Sequence, residues 1–212
     1  MSSLTSTDTA MTIFFDLETI PADESTVDLV REQFERRSRS ATSTRREVTF
    51  EDYLHGTSLD PNFGRILCIG YAVDDQPTTT IHGDSETDVL AGFWQLAKPA
   101  TKLIGHNAVA FDVPFLWKRS IVNGVKPTLD LTDPTLIADT MLLWDLAMPR
   151  KHTSLDLLAK LFGIPTSKSE MSGAEVYDYY RAGKLQAIYD YCARDVEVTR
   201  AVYKQLMFSK TL

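Results

Sequence analysis

Ile13-Phe14-Phe15-Asp16-Leu17-Glu18-Thr19-Ile20-Pro21 is the stretch on which the reading of the fold turns. Four residues of high strand propensity, Thr12 to Phe15, run into an acidic residue, and a second follows two places on. An unbroken apolar run of this kind marks a central strand buried on both faces. Side chains alternate along a strand, so Asp16 and Glu18 point the same way if the extended geometry persists. Two carboxylates at the end of a buried strand repel each other and lose hydration. Divalent cations remove both penalties, and an oxygen-rich pair suits Mg²⁺ or Mn²⁺. Taken alone, the stretch is equally an acidic strand end facing solvent.

A chain of 212 residues fits one domain with a sizeable core. No apolar run reaches the length of a membrane span, and no secretory signal pattern opens the chain. Cys68 and Cys192 sit in apolar patterns far apart in sequence. That suits buried thiols in a reducing cytoplasm better than a disulfide framework or a zinc site. The four histidines show no metal-ligand spacing. A formal charge of −7 argues against a broad nucleic-acid-binding surface. It leaves room for a local basic patch and for carboxylates neutralised by bound metal.

Residues 1–11 are rich in Ser and Thr and lack periodicity, which predicts a disordered lead-in. One folded domain is expected over 12–208, with a short tail at 209–212. A helix is predicted over 25–37. It passes into an Arg-rich stretch at 36–46, expected to be a mobile insertion extending to about 47. This stretch is either a solvated charge run or an arm that holds phosphates near Asp16. Arg65 to Val73 is a second apolar strand, Asp74 to Pro77 a turn, and Thr78 to His82 a third strand. Ser85 and Asp88 form a capping-box pattern before a helical face of Val89, Phe93 and Leu96. Lys102 to Gly105 is a fourth strand. Three strands followed by alternating helices and strands indicate an α/β layered domain.

A second chemical stretch follows at Gly105-His106-Asn107-Ala108-Val109-Ala110-Phe111-Asp112-Val113-Pro114. Pro114 falls in the first turn of a helix, so Asp112 lies near a helix N-terminus, either as its cap or as a functional carboxylate. Asn123-Gly124 ends that helix. Leu136 to Ala138 is a candidate fifth strand, and Asp139 is expected to cap a helix running to about Leu146. Thr153 and Asp156 are expected to open another, stopped at Gly163. Arg150-Lys151-His152 is a small basic cluster, and Lys168 to Ser172 a polar loop. The last helix is predicted from about Lys184 to Phe208. Tyr191 and Asp195 share one of its faces, while Ile188, Cys192, Thr199 and Leu206 fit a core-facing stripe. The chain carries no phosphate-binding GxxxxGK[ST] loop and no Gly-rich dinucleotide fingerprint.

Asp-x-Glu after a first strand, Phe-Asp at the start of a mid-chain helix and Tyr-x-x-x-Asp in a late helix occur here in that order. Together they resemble the DEDD superfamily of 3′–5′ exonucleases, in the subgroup that places Tyr in its third motif. Gly105-His106-Asn107 leading to Phe111-Asp112 is similar to the second motif of the proofreading domain of B-family DNA polymerases. Met171-Ser172-Gly173-Ala174-Glu175-Val176, with Ile188, Tyr191-Cys192 and Asp195-Val196, resembles stand-alone predicted exonucleases related to that domain. The histidine-type subgroup places His five residues before its last Asp, where this chain has Asp190.

The resemblance implies a ribonuclease H-like three-layer fold, a mixed central sheet of about five strands flanked by helices. It implies 3′–5′ hydrolysis of phosphodiester bonds with two divalent cations, Mg²⁺ or Mn²⁺, about 3.5–4 Å apart. Asp16 would bridge both ions, Glu18 and Asp195 would hold one, and Asp112 would act on the other. Tyr191 would orient or deprotonate the attacking water. Substrate contacts fall to Leu17, Thr19, Asn107 and Phe111, with Leu17 a wedge between the last two bases. The backbone at Leu17 and Glu18 would hold the 3′-hydroxyl. The expected partner is the 3′ end of a single-stranded nucleic acid. The polymerase-like second motif favours DNA over RNA. An exoribonuclease and a catalytically silent binding module are the competing readings.

Overall fold

The computed structural model describes residues 10–40, 48–148, 152–166 and 171–209. Five strands, β1 (Met11–Ile20), β2 (Arg65–Val73), β3 (Thr79–Ile81), β4 (Ala100–Gly105) and β5 (Ile137–Asp139), form one sheet in the order β3-β2-β1-β4-β5. The sheet is mixed: β1–β2 and β2–β3 are antiparallel, whereas β1–β4 and β4–β5 are parallel. The apolar run around Phe14 is therefore the middle strand, as its lack of alternation required.

Eight helices complete the described chain: α1 (Val27–Ser40), α2 (Phe50–Gly56), α3 (Glu86–Ala97), α4 (Asp112–Val122), α5 (Thr140–Trp144), α6 (Leu155–Phe162), α7 (Val176–Arg181) and α8 (Leu185–Leu206). Successive residues of β1 divide between two layers. Ile13, Phe15 and Leu17 pack with Val89, Leu90, Phe93 and Trp94 of α3 and with Phe115 and Leu116 of α4. Phe14 packs with Val196 and Tyr203 of α8 on the opposite face. Asp16 and Glu18 follow the register of Phe14 and so share the α8 side of the sheet. This three-layer α/β arrangement is the ribonuclease H-like fold expected.

Two features bring α8 and β1 together at the level of the acidic residues. Gly70 of β2 pairs with Asp16, and a Cβ there would lie 2.8 Å from the Cys192 carbonyl oxygen. Only glycine lets the α8 backbone come so near the strand. The β1–β2 register also shifts between Glu18 and Thr19, with Glu18 opposite Cys68 and Thr19 opposite Ile66. Leu67 is thus an extra residue on β2, and such bulges re-aim the side chains beside them. At the other end of the α3–α4 layer, Glu86 accepts from Arg119 (Nη2–Oε2 2.7 Å), Asn123 and the Ile66 amide, an ion pair buried on both sides.

Several local expectations are corrected. Helix α1 continues through Ser40, so Arg36, Arg37 and Arg39 stand on a helix and not in a loop. Arg37 stacks over Tyr53 and Arg31 over Phe50, while Arg39 pairs with Glu35. Residues 41–47, the rest of that Arg-rich stretch, lie outside the described residues. So do 1–9 of the lead-in, Arg150 and Lys151 of the basic cluster, 168–170 of the polar loop, and 210–212. Met11 already belongs to β1. Helix α2 was not anticipated, although Thr49 and Asp52 make a full capping box before it. Helix α5 stops at Trp144 and not near Leu146, because Leu146 and Ala147 turn into left-handed backbone (φ 51° and 53°). Ser154, not Thr153, caps α6. The Thr153 hydroxyl is committed to Asp145 at 2.7 Å.

Candidate active site

Asp16, Glu18, Asp112, Tyr191 and Asp195 line one cleft of about 230 Å³, together with Leu17, Thr19, Ser58, Leu59, His106, Asn107, Phe111 and Gly173. The three stretches singled out in the sequence therefore converge. β1 presents Asp16 and Glu18, the first turn of α4 presents Asp112, and α8 presents Tyr191 and Asp195 one turn apart.

Asp112 is not the cap of α4. Phe111 holds that position without a side-chain bond, and the Asp112 carboxylate accepts instead from the Leu17 amide at 3.1 Å. This bond fixes the second motif against the first. It also commits the Leu17 N–H, which is therefore not available to a substrate hydroxyl. The Leu17 side chain is 4% exposed and belongs to the core cluster, so it is not placed as a wedge. Leu59 lines the same cleft at 71% exposure. It sits in the 3₁₀ turn Thr57–Leu59, which the Thr19 hydroxyl braces by donating to the Ser58 carbonyl at 2.7 Å. Thr19 thus supports the cleft wall, while Asn107 and Phe111 line the cleft. Asn107 adopts φ 60°, and its buried Oδ1 has no hydrogen-bond partner among the described residues.

The electrostatics are those of crowded like charges. Burial, followed by the neighbouring Asp112, Asp195 and Glu18, holds the Asp16 carboxyl well above the usual carboxylate range. Burial raises Glu18 in the same direction, with Cys68, Asp195 and Asp112 adding to it. Asp112 is pushed up to about 7, chiefly by burial, against the pull of its own amide and that of Leu17. Among the described residues, neither Lys nor Arg forms an ion pair with Asp16, Glu18 or Asp112. Buried carboxylates without cationic side chains fit divalent metal ions, and all-oxygen donors favour Mg²⁺ or Mn²⁺. The Cys192 thiol lies within 4.8 Å of possible ligand atoms on Asp16 and Glu18. Burial and the adjoining Cys68 raise its pKa, so it stays a thiol and makes a poor ligand. Tyr191 is hydrogen-bonded to Asp195, and burial raises its hydroxyl further above the ordinary tyrosine value.

Residues 137–211 match a family described as "Predicted 3'-5' exonuclease related to the exonuclease domain of PolB". The structure of the family B DNA polymerase from the hyperthermophilic archaeon Pyrobaculum calidifontis matches over 93% of this chain, with a TM-score of 0.64 and 17% sequence identity. The chain is thus similar in fold to part of that polymerase. It covers 24% of that polymerase chain, so the likeness there is one of fold. No curated protein matches it.

Some residues around the centre are not marked by the sequence motifs. Asp139 was anticipated only as the cap of α5, which it is, accepting from Met141 and Leu142. It also accepts from the amides of Asn107 and Val109, both at 3.0 Å. His106 bridges Thr140 Oγ1 (2.8 Å) and the Thr153 carbonyl (3.0 Å) through its two ring nitrogens. Gly105 lets the loop fold back, since a Cβ there would lie 2.7 Å from that of Ala108 and 3.3 Å from the Phe15 carbonyl. The Gly-His-Asn run is the signal for these, but their partners are thirty or more positions away in sequence.

Proposed function

We propose that this chain is a metal-dependent 3′–5′ exonuclease of the Tyr-containing subgroup, removing nucleoside monophosphates from the 3′ end of single-stranded DNA. The observation that supports it best is the convergence of four carboxylates and one tyrosine, from three distant segments, on a single cleft. The folded domain is taken as 12–208. The two buried free thiols fit a reducing compartment, hence the cytoplasm. Among the described residues no helix is long and apolar enough to cross a membrane.

Asp16, Glu18, Asp112 and Asp195 would hold two divalent cations. Bound there, the cations screen the phosphate, raise the acidity of an attacking water and stabilise the leaving 3′-oxygen. Tyr191 keeps its proton at physiological pH and orients that water, with Asp195 fixing the direction of the hydroxyl. Phe111 offers a ring to the terminal nucleotide, and Asn107 Oδ1 an acceptor to a donor on it. Leu59 replaces Leu17 as the apolar side chain facing the bases.

The test is incubation with 5′-labelled single-stranded DNA and RNA, with Mg²⁺ or Mn²⁺. A ladder that shortens DNA from its 3′ end one nucleotide at a time supports the reading. A ladder on RNA alone transfers the substrate to RNA. No cleavage with either ion refutes the enzyme and leaves a silent module.

A further inference from the structure

We infer that Asp139 is the positioning residue of the centre, a clasp whose carboxylate holds the loop that leads into Asp112. This inference rests on the exonuclease reading for its kinetic consequence and on geometry for the clasp itself.

Asp139 ends β5 and pairs in register with Gly105, which ends β4 beside it. After Gly105 the chain reverses sharply. Asn107 takes φ 60°, and the Ala110 and Phe111 amides both donate to the Asn107 carbonyl. Asn tolerates left-handed backbone better than other non-glycine residues, but a sharp reversal at this conformation still needs its surroundings to hold it in one place. Asp139 supplies that hold. Its Oδ1 accepts from Asn107 N at 3.0 Å and from Met141 N at 2.9 Å, with Leu142 N at 3.3 Å, and its Oδ2 accepts from Val109 N at 3.0 Å.

A carboxylate only 4% exposed is thus bonded both to amides of the loop after β4 and to amides of the first turn of α5. Bonds from buried amides to an ionised acceptor are the strong kind. The downstream end of the reversal is tied by Val113 N to the Ala108 carbonyl and by Asp112 Oδ1 to Leu17 N. With one end held by Asp139 and the other by β1, the Asp112 carboxylate and the Asn107 amide have a single place to be. Asp139 itself does not line the cleft and has no part in the chemistry except through them.

Its two duties are separable. Serine caps helices as well as aspartate does, but its side chain is too short to reach Asn107 and Val109. Asp139→Ser should therefore keep α5 while freeing the loop. Asp139→Asn keeps one acceptor and releases one loop amide. Amide hydrogen exchange should show Asn107 and Val109 losing protection in Asp139→Ser, with Met141 and Leu142 retaining theirs. On a single-stranded oligonucleotide with Mn²⁺, kcat should fall by about ten-fold or more and KM by less than about three-fold, because misplacing a catalytic group costs turnover first. Asp139→Asn should fall between wild type and Asp139→Ser in both readouts.

Unchanged exchange at Asn107 and Val109 would overturn the clasp. Faster exchange with unchanged kcat would overturn its positioning role. A wild-type protein that cleaves no strand would sink the exonuclease reading, and the exchange rates would still decide the clasp on their own.

Discussion

Removing metal should make this protein less stable as pH rises, the reverse of ordinary acid denaturation. Asp112 titrates near 7 in the metal-free fold, against 3.8 as its ordinary value. Its folded pKa is raised, so the folded state binds the proton more tightly than the unfolded chain. The stabilisation this gives is complete below about pH 4 and is lost as pH climbs through about 7. At 1.36 kcal/mol per unit, Asp112 alone removes about 2.5 kcal/mol between pH 5 and pH 7. Asp16 and Glu18, also raised by burial and by the acidic groups around them, shift the balance in the same direction. The carboxylates whose values are lowered, Asp23, Asp75, Asp130, Asp133 and Glu175, are ionised in both states over this window and do not oppose it. For a chain of this size 2.5 kcal/mol corresponds to about 5–10 °C in Tm. The assay is thermal unfolding in EDTA at pH 5, 6, 7 and 8, repeated with Mn²⁺ or Mg²⁺. The expected result is a falling Tm in EDTA and a recovery with cation that grows with pH, as protons cease to compete. A Tm in EDTA that is flat or rising from pH 5 to pH 8 would refute the reasoning.

Other outcomes follow from the same geometry. Asp16→Asn should abolish Mn²⁺-dependent cleavage while raising the Tm of the metal-free protein at pH 8, as one of the crowded charges is removed; a lower Tm there would contradict the repulsion argument. Tyr191→Phe should reduce kcat more than KM for an oligonucleotide, and unchanged turnover would take the hydroxyl out of the reaction. Arg119→Met leaves Glu86 buried without its cation and should cost about 3–5 kcal/mol in urea unfolding, with no specific effect on metal binding by the folded fraction.

The parts of this molecule that were legible in the sequence are those written in short-range patterns. The run from Thr12 to Phe15 declared a strand buried on both faces, and it is the middle of the sheet. The spacing of Asp16 and Glu18 put both on one side of it, the α8 side. Tyr191 and Asp195 share a helix face because four residues make about one turn. What was missed depends on partners far along the chain. A cap motif at Asp139 says nothing of Asn107 and Val109, which the β4–β5 pairing brings to it. The resemblance alone places Leu17 at the substrate, yet strand alternation turns it into the core with Phe15. The exposed leucine of the cleft, Leu59, follows a short helix marked in the sequence only by its Thr49–Asp52 capping box. The start of the Arg-rich stretch shows the opposite error: a charge run reads as a loop, yet α1, anchored by Phe34 against Phe50 and Tyr53, continues through Ser40.

The contact between the first strand and the last helix has a consequence for biosynthesis. Tyr191 and Asp195 reach Asp16 only once α8 has docked past Gly70 onto the sheet. A nascent polypeptide that has not yet emerged beyond residue 185 presents a half-built acidic edge with no opposing wall. The acidic cleft is therefore complete only after α8 has docked, and a chain lacking that helix would hold the first two acidic stretches without the third.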